Sequence, residues 1–258
     1  MEYLANVTTA DVLYEQLLSS LKLLSTGCQN LDDILGGGLY CGELTEVFGS
    51  PGLGKTQSCL SIACHVAGTL DKNVVYIDTT AAFSSKRIHE ILMERCGDTN
   101  KTMNSMTRIQ CIKTFEIFHA LFVLEELAKC LSKEEDAFYQ DVVLVIFDSV
   151  ASIISPVLGG AKIKGFGHGM MVRFSRLLKA LACDHNVAIL FTNNVVSDSN
   201  NSYTKPALGV TWSHVPNTRI FLHQGEQEPS KTFVKTTKSV KMPLQDSRPV
   251  IIDKTGLH

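Results

Sequence analysis

The sequence predicts a doubly wound α/β fold, with a mostly parallel sheet and a small antiparallel extension near the C-terminus. Short apolar runs alternate with longer segments whose apolar residues recur at helical spacing. The run Val142–Asp148 is almost wholly apolar, which is typical of a parallel strand buried on both faces. After about residue 218 the helical segments give way to short strand-like runs. This order favours a parallel sheet that carries an antiparallel edge.

The same periodicity predicts each element in chain order. Residues 12–24 are predicted as a short amphipathic helix, within an N-terminal linker of residues 1–24 that precedes a core domain of residues 25–258. Strands are predicted over residues 44–48, 74–78, 109–115, 142–148 and 187–192, and helices over 31–35, 56–67, 84–95, 116–131 and 170–184. Residues 219–223, 232–238 and 250–253 are predicted as the shorter strands of the extension, and 132–141 as a polar connection.

Composition excludes several classes of protein. A chain of 258 residues with 45% hydrophobic residues suits one large globular domain, and no apolar run is long enough to cross a bilayer, so we expect no membrane partner. The formal net charge of −2 argues against a generally basic nucleic-acid-binding surface but is compatible with a local basic groove. The eight cysteines contain no C-x₂-C pair, so we expect reduced thiols and no zinc site.

One glycine-rich segment predicts nucleoside triphosphate binding. It fits the pattern G-x-x-x-x-G-K-[ST] and consists of Gly49, Ser50, Pro51, Gly52, Leu53, Gly54, Lys55 and Thr56. The glycines allow the backbone N–H groups to wrap a phosphate chain, Lys55 would reach the β and γ phosphates, and the Thr56 hydroxyl would bind Mg²⁺. A predicted strand precedes the segment and a predicted helix follows it, which places a helix N-terminus against the anion.

Asp148 is the candidate second ligand of Mg²⁺. It ends the most apolar strand, and in phosphate-loop nucleotidases a carboxylate at the end of a neighbouring strand holds Mg²⁺ together with the loop hydroxyl. Fast hydrolysis also needs a group that orients or deprotonates water. The exit of the strand 74–78 offers only Thr79 and Thr80, so we expect strong binding machinery and weak hydrolysis.

The segments around the loop resemble the ATPase core of RecA-type recombinases in their eukaryotic and archaeal branch. The resemblance rests on residues 25–27, 31–32, 36–38 and 42–46, the loop itself and Gln57, and it runs from about residue 7 to 240. Within this family the chain most resembles the D-type recombinase paralogues. That narrower resemblance rests on residues 38–40, 155–160, 205–209 and 212–219. The chain begins almost at the linker of that family, so we expect no N-terminal helical domain in it.

The resemblance implies an ATP-binding subunit that assists homologous recombination and DNA double-strand break repair in the nucleus, with ATP and Mg²⁺ as cofactors. It implies partners of two kinds: other recombinase paralogue subunits in a hetero-oligomer, and single-stranded DNA. Two loops that contact DNA in the family correspond to residues 158–170 and 196–208. They supply, with the adjoining helix, the candidate DNA-binding residues Lys162, Lys164, Arg173 and Lys205, and glycines that would give the first loop flexibility.

Departures from active recombinases indicate weak DNA-dependent ATPase activity. The resemblance places Thr80 where those enzymes carry a catalytic glutamate, and Asn194 where they carry a γ-phosphate-sensing glutamine. It also places Val7 and Ala10 in the segment that adds an extended strand to the next subunit, with Val7 replacing an aromatic anchor. Two alternatives stay open: a competent strand-exchange recombinase that forms its own filament, and a non-hydrolysing scaffold module that nucleotide only stabilises.

Overall fold

A computed structural model of the chain describes residues 9–12, 22–133, 136–159, 165–197, 204–225, 228 and 230–258. The helices, in chain order, are α1 (Gln29–Leu35), α2 (Lys55–Gly68), α3 (Ser85–Cys96), α4 (Thr99–Thr107), α5 (Ile117–Ser132), α6 (Ala137–Gln140), α7 (Val150–Leu158), α8 (Phe166–His185) and α9 (Gly209–Ser213). The strands are β1 (Leu23–Leu24), β2 (Leu39–Tyr40), β3 (Leu44–Gly49), β4 (Asn73–Asp78), β5 (Ile109–Lys113), β6 (Val142–Asp148), β7 (Ala188–Asn193), β8 (Val195–Ser197), β9 (Thr204–Pro206), β10 (Thr218–Gln224), β11 (Thr232–Lys238), β12 (Arg248–Val250), β13 (Ile252–Asp253) and β14 (Gly256–Leu257).

The central sheet has eight strands in the order β12-β11-β10-β3-β7-β6-β4-β5. All pairs from β10 to β5 are parallel, whereas β11 and β12 join by antiparallel pairing. Three small antiparallel pairs lie outside it: β1 with β2, β8 with β9, and β13 with β14. The predicted doubly wound α/β fold with an antiparallel extension is therefore confirmed.

Helices cover both faces of this sheet because side chains alternate across each strand. On β4, Val74 and Tyr76 belong to the core that includes α1, α2 and α3, whereas Val75 and Ile77 belong to the core that includes α5, α7 and α8. Every residue of β3 and β4 is buried, as expected for central strands with helices on both sides. The sheet is thus a rigid platform for the loops that leave its edge.

Several element boundaries differ from the sequence predictions. The predicted helix over 12–24 is wrong at its end, because Leu23–Leu24 form β1, which pairs with β2. Residues 10–12 are helical, and residues 13–21 lie outside the described part of the chain. The extension strand predicted over 250–253 is two short strands, β12 and β13, and the polar connection over 132–141 contains α6. The division into a linker of 1–24 and a core of 25–258 stays a prediction.

The first predicted DNA loop is shorter than expected, because α8 begins at Phe166 and not at residue 170. Gly167 lies inside this helix, where a Cβ atom would stand 2.2 Å from the carbonyl oxygen of Val157. Its role is therefore close packing of α8 on the end of α7, and the expectation that it makes a loop flexible is wrong.

Among the helices in the described ranges, none combines the length and apolar character needed to cross a membrane.

Candidate nucleotide-binding site

Four central strands deliver the candidate residues to one edge of the sheet. The strands β3, β7, β6 and β4 are neighbours in that order and run parallel, so their carboxyl ends lie side by side. The phosphate loop leaves β3, Asn194 follows β7, Asp148 ends β6, and Thr80 follows β4 by two residues. Ligands of open α/β sheets bind in the crevice outside these ends.

The phosphate loop joins β3 to α2 through two glycines in the left-handed region. Gly52 has φ +83° and Gly54 has φ +90°, and α2 begins at Lys55. The Lys55 ammonium folds back and donates to the carbonyl oxygens of Gly49 (2.8 Å) and Ser50 (3.0 Å). Burial lowers the pKa of Lys55, and the negative charge of Asp148 acts in the opposite direction. A cation and a helix N-terminus therefore converge on one concave loop.

The other motif residues surround this cation. Pro51 and Gly52 are exposed, and four are half-buried: Leu53, Gly54, Thr56 and Gln57. The Gln57 amide oxygen accepts a hydrogen bond from Arg87 Nε (3.0 Å), and Arg87 also donates to the backbone oxygen of Asp253, next to Ile252 in β13. The C-terminal hairpin thus closes one side of a cleft of about 660 Å³ that begins at the loop.

The residues present fit a nucleoside triphosphate with Mg²⁺. A Cβ atom on Gly52 would meet nothing within 4 Å, so the loop faces open space. Thr56 lies half-buried in the first turn of α2, and the buried Ser149 Oγ beside Asp148 has no hydrogen-bond partner among the described residues. Hard oxygen donors of this kind are the ligands that Mg²⁺ prefers.

Asp148 is held rigidly at the end of β6. Its side chain is 2% exposed and accepts hydrogen bonds from the Tyr76 hydroxyl (2.9 Å) and from the Thr192 hydroxyl. Burial, with the nearby negative charges, raises the pKa of Tyr76, so this phenol stays a donor. A carboxylate has about four acceptor positions, so both oxygens keep acceptor capacity for Mg²⁺ or its waters. Sequence reasoning missed Tyr76 and Thr192, although each is a residue with a hydroxyl in a buried and mostly apolar strand.

The turn after β4 presents Thr80. The buried Asp78 carboxylate accepts from the backbone N–H groups of Thr80 (3.0 Å), Ala82 (3.2 Å) and Phe83 (3.1 Å). Thr80 itself is exposed at the carboxyl edge of the sheet. The carboxylate nearest in sequence therefore folds the backbone of this turn, and the exposed side chain that Thr80 presents at this edge is a hydroxyl.

Asn194 lies beyond β7 on a loop tied to a buried carboxylate. Its side chain is exposed, and its backbone N–H donates to Asn193 Oδ1 (2.8 Å). Asn193 Nδ2 donates in turn to Glu46 Oε1 (2.7 Å) and to the carbonyl oxygen of Ala207 (3.1 Å). The fully buried Glu46 also accepts from Trp212 Nε1 (3.0 Å) and forms an ion pair with Arg219. Sequence reasoning missed this network, because a glutamate inside an apolar strand gives no local signal of its partners.

The candidate DNA-binding and interface residues are placed unevenly. Arg173 is on α8, and its guanidinium pairs with Glu125 of α5 at 2.6 Å. Lys205 is exposed on β9, paired in register with Val196 of β8. Lys162, Lys164 and Val7 lie outside the described residues. Ala10 is exposed and helical, so it does not have the extended conformation expected of a docking strand.

The described residues contain no cluster of three or more His, Cys, Asp or Glu side chains that could hold a metal ion.

Comparison with known proteins identifies the family. The family model described as Rad51 matches residues 18–257. The chain is 41% identical over 234 residues to "DNA repair protein RAD51 homolog 4" of Bos taurus, covering 90% of this chain and 71% of the relative. It is 40% identical over 235 residues to the protein of the same name from Mus musculus, with the same coverage. It is 30% identical over 274 residues to "DNA repair protein RAD51 homolog 2" of Homo sapiens, covering 88% of this chain and 70% of the relative. The chain belongs to the Rad51 family, and its sequence is similar to the homolog 4 type within it.

Proposed function

We propose that this chain is an ATP-binding recombinase paralogue subunit that assists homologous recombination and DNA double-strand break repair. Membership of the Rad51 family supports a role in recombination and DNA repair. The observation that supports the finer proposal is the composition of one sheet edge: it presents a lysine and a buried carboxylate, Lys55 and Asp148, together with a hydroxyl and a short amide, Thr80 and Asn194.

In this proposal each residue has a stated role. The backbone from Gly49 to Gly54 cradles the phosphates, and Lys55 neutralises their charge. Thr56 and Asp148 hold Mg²⁺, which supplies charge neutralisation between the phosphates. The adjoining cleft, lined in part by Gln57, has a volume in the range that accommodates small ligands, which supports its use by the nucleoside.

Weak hydrolysis follows from the chemistry of the two remaining positions. A threonine hydroxyl at position 80 cannot act as a base near neutral pH, so no side chain there would deprotonate water. Asn194 is one methylene shorter than a glutamine and would reach less far toward the γ phosphate. ATP would therefore act mainly as a ligand that sets the state of a subunit interface.

We further propose that the subunit acts in the nucleus within a hetero-oligomer of recombinase paralogues and binds single-stranded DNA. Val7 is a weaker anchor than an aromatic residue, because it forfeits apolar burial on the order of 1 kcal/mol at every joint of a homopolymer. A partner with a pocket shaped for the segment around Val7 and Ala10 could still bind it.

Light scattering in the presence of ATP and single-stranded DNA tests this function. The isolated chain should show no filament growth, and removal of residues 1–11 should weaken capture of a paralogue partner. Long ordered homofilaments would favour the competent strand-exchange recombinase instead. Partner capture that is identical with and without ATP would favour the scaffold module.

A further inference from the structure

The exposed phenylalanines of this protein are concentrated in one place. The chain has 12 phenylalanines, and the structure describes all of them. The exposed ones are Phe115 (56%), Phe118 (57%), Phe122 (56%) and Phe166 (42%). The first precedes α5, the next two lie on it, and Phe166 begins α8. Large apolar rings left in water at one site mark a binding surface.

Three of these rings form a ridge along the seam between α5 and α8. The ring centroids of Phe118 and Phe166 are 6.2 Å apart, and Glu125 pairs with Arg173 at 2.6 Å. Glu125 follows Phe118 by seven residues on α5, and Arg173 follows Phe166 by seven residues on α8. The two contacts therefore occur in the same order along both helices, so α5 and α8 run in the same direction. Phe118 and Phe122 are four residues apart and therefore lie on one stripe of α5. We call Phe118, Phe122 and Phe166 the aromatic ridge.

The helix that borders the ridge is cationic. From Phe166 to residue 183, α8 contains no aspartate or glutamate, and it exposes Arg173, Arg176 and Lys179. Arg173 and Arg176 line an open groove of about 710 Å³ on this helix. On α5, the carboxylates of Glu125 and Glu126 are paired with Arg173 and with Lys129. Glu116, just before α5, is the acidic exception.

Rings beside cations match the chemistry of single-stranded nucleic acid. Bases stack on aromatic faces, and phosphates bind Arg and Lys, with little dependence on base sequence. A duplex keeps its base faces stacked internally and offers only phosphates to such a ridge. A purely apolar protein partner would gain nothing from the acid-free face of α8.

We infer that the aromatic ridge is a base-stacking platform for single-stranded DNA, with Arg176 positioned to contact the phosphates. The inference rests on the proposed function and deepens it, because it assigns DNA contact to described rings on α5 and α8 and not only to the two loops. Strand passage along the ridge would bring the nucleic acid to the start of α8, where the first of those loops ends.

Fluorescence anisotropy of the full chain with labelled oligo(dT) tests the platform. Phe118→Ala and Phe166→Ala should each weaken binding about tenfold, which is typical for loss of one stacked base. The matched control is Met103→Ala, which removes an equally exposed side chain (53%) from α4 and should bind as the unmodified chain does. An abasic oligomer of the same length keeps the phosphates, and its affinity should not change in either phenylalanine variant.

A tryptophan variant separates stacking from general apolar contact. The single tryptophan, Trp212, is fully buried, so Phe118→Trp adds the one exposed indole. It should keep oligo(dT) affinity, and its fluorescence should be quenched on binding. Equal oligo(dT) affinity of all variants, or an equal loss for the abasic oligomer, would overturn the platform while leaving ATP binding and the proposed function intact. Failure of the unmodified chain to bind oligo(dT) at all would overturn the DNA-binding part of both.

Discussion

Asp78 and Asp148 are paired in register on the neighbouring strands β4 and β6, yet their carboxylates perform different tasks. Asp78 accepts three backbone N–H groups of the turn that follows it, whereas Asp148 accepts the hydroxyls of Tyr76 and Thr192. One carboxylate is therefore consumed in shaping a turn, and the other keeps capacity for a metal ion. In the proposed function Asp148 therefore serves Mg²⁺, whereas Asp78 is not available to act as a base.

Lys55→Ala should weaken ATP binding by about 100-fold, because it removes a charge-assisted contact opposite the β and γ phosphates. Titration calorimetry with ATP and Mg²⁺ measures the dissociation constant. Lys86→Ala is the control, since that side chain is 89% exposed on α3 and its change should leave the affinity unaltered. Unchanged affinity in Lys55→Ala would contradict the role of the loop.

Thr80→Glu should raise the ATP turnover rate about tenfold, because a carboxylate on this exposed turn can orient water near the γ phosphate. Thr80→Gln is the matched control, with nearly the same shape and no base. Steady-state phosphate release at saturating ATP gives the rate. If Thr80→Glu binds ATP but does not exceed Thr80→Gln, even combined with Asn194→Gln, a missing base is not what limits hydrolysis.

Glu46→Gln should lower the free energy of unfolding by about 3–5 kcal/mol, because it leaves the charge of Arg219 buried without a counter-charge. The measurement is urea unfolding followed by far-ultraviolet circular dichroism. Arg248→Met breaks a more exposed pair with Asp33 and should cost about 1 kcal/mol or less. The double variant Glu46→Gln with Arg219→Met should be more stable than Glu46→Gln alone, and a further loss would contradict the ion-pair account.

His65 should make the protein less stable in mild acid. Burial lowers the pKa of His65 below its ordinary value of 6.5, and the nearby Arg95 acts in the same direction. Below about pH 6.5 the unfolded chain therefore binds a proton that the folded chain does not, so stability falls as pH falls and rises as pH rises. His65→Gln should flatten this dependence in unfolding experiments between pH 7 and 5.5, compared with the unmodified chain. An equal slope in the variant and in the unmodified chain would contradict the assignment.

Much of the fold could be predicted because its signals are local. Buried parallel strands such as β6 are continuous apolar runs, and the phosphate loop specifies its own backbone path. The sequence also predicted that Thr79 and Thr80 directly follow the strand over residues 74–78, as the structure has them. Each of these features depends on the order of residues within one short segment, and a single sequence is enough to show that order.

The features that were missed depend on contacts between distant segments. The helix α4 buries mainly Thr102 and Ser105, so it has no apolar periodicity to detect. Gly167 was predicted to lie in a flexible loop, but it packs against the backbone of α7, which leaves no room for a Cβ atom at this position. The Glu46 network joins β3, β7, α9 and β10, and only the sheet order brings these elements together. Tertiary packing overrides local preference in each case.

We propose that this subunit binds ATP well and hydrolyses it slowly. The most direct measurement determines, on one preparation of the full chain, the dissociation constant of ATP with Mg²⁺ and the turnover rate with and without single-stranded DNA. We predict micromolar or tighter binding of ATP, together with a turnover rate well below the roughly 1 s⁻¹ lower end of typical enzymes and a modest increase in that rate when DNA is added. Absence of ATP binding, or turnover within the ordinary enzyme range, would contradict it.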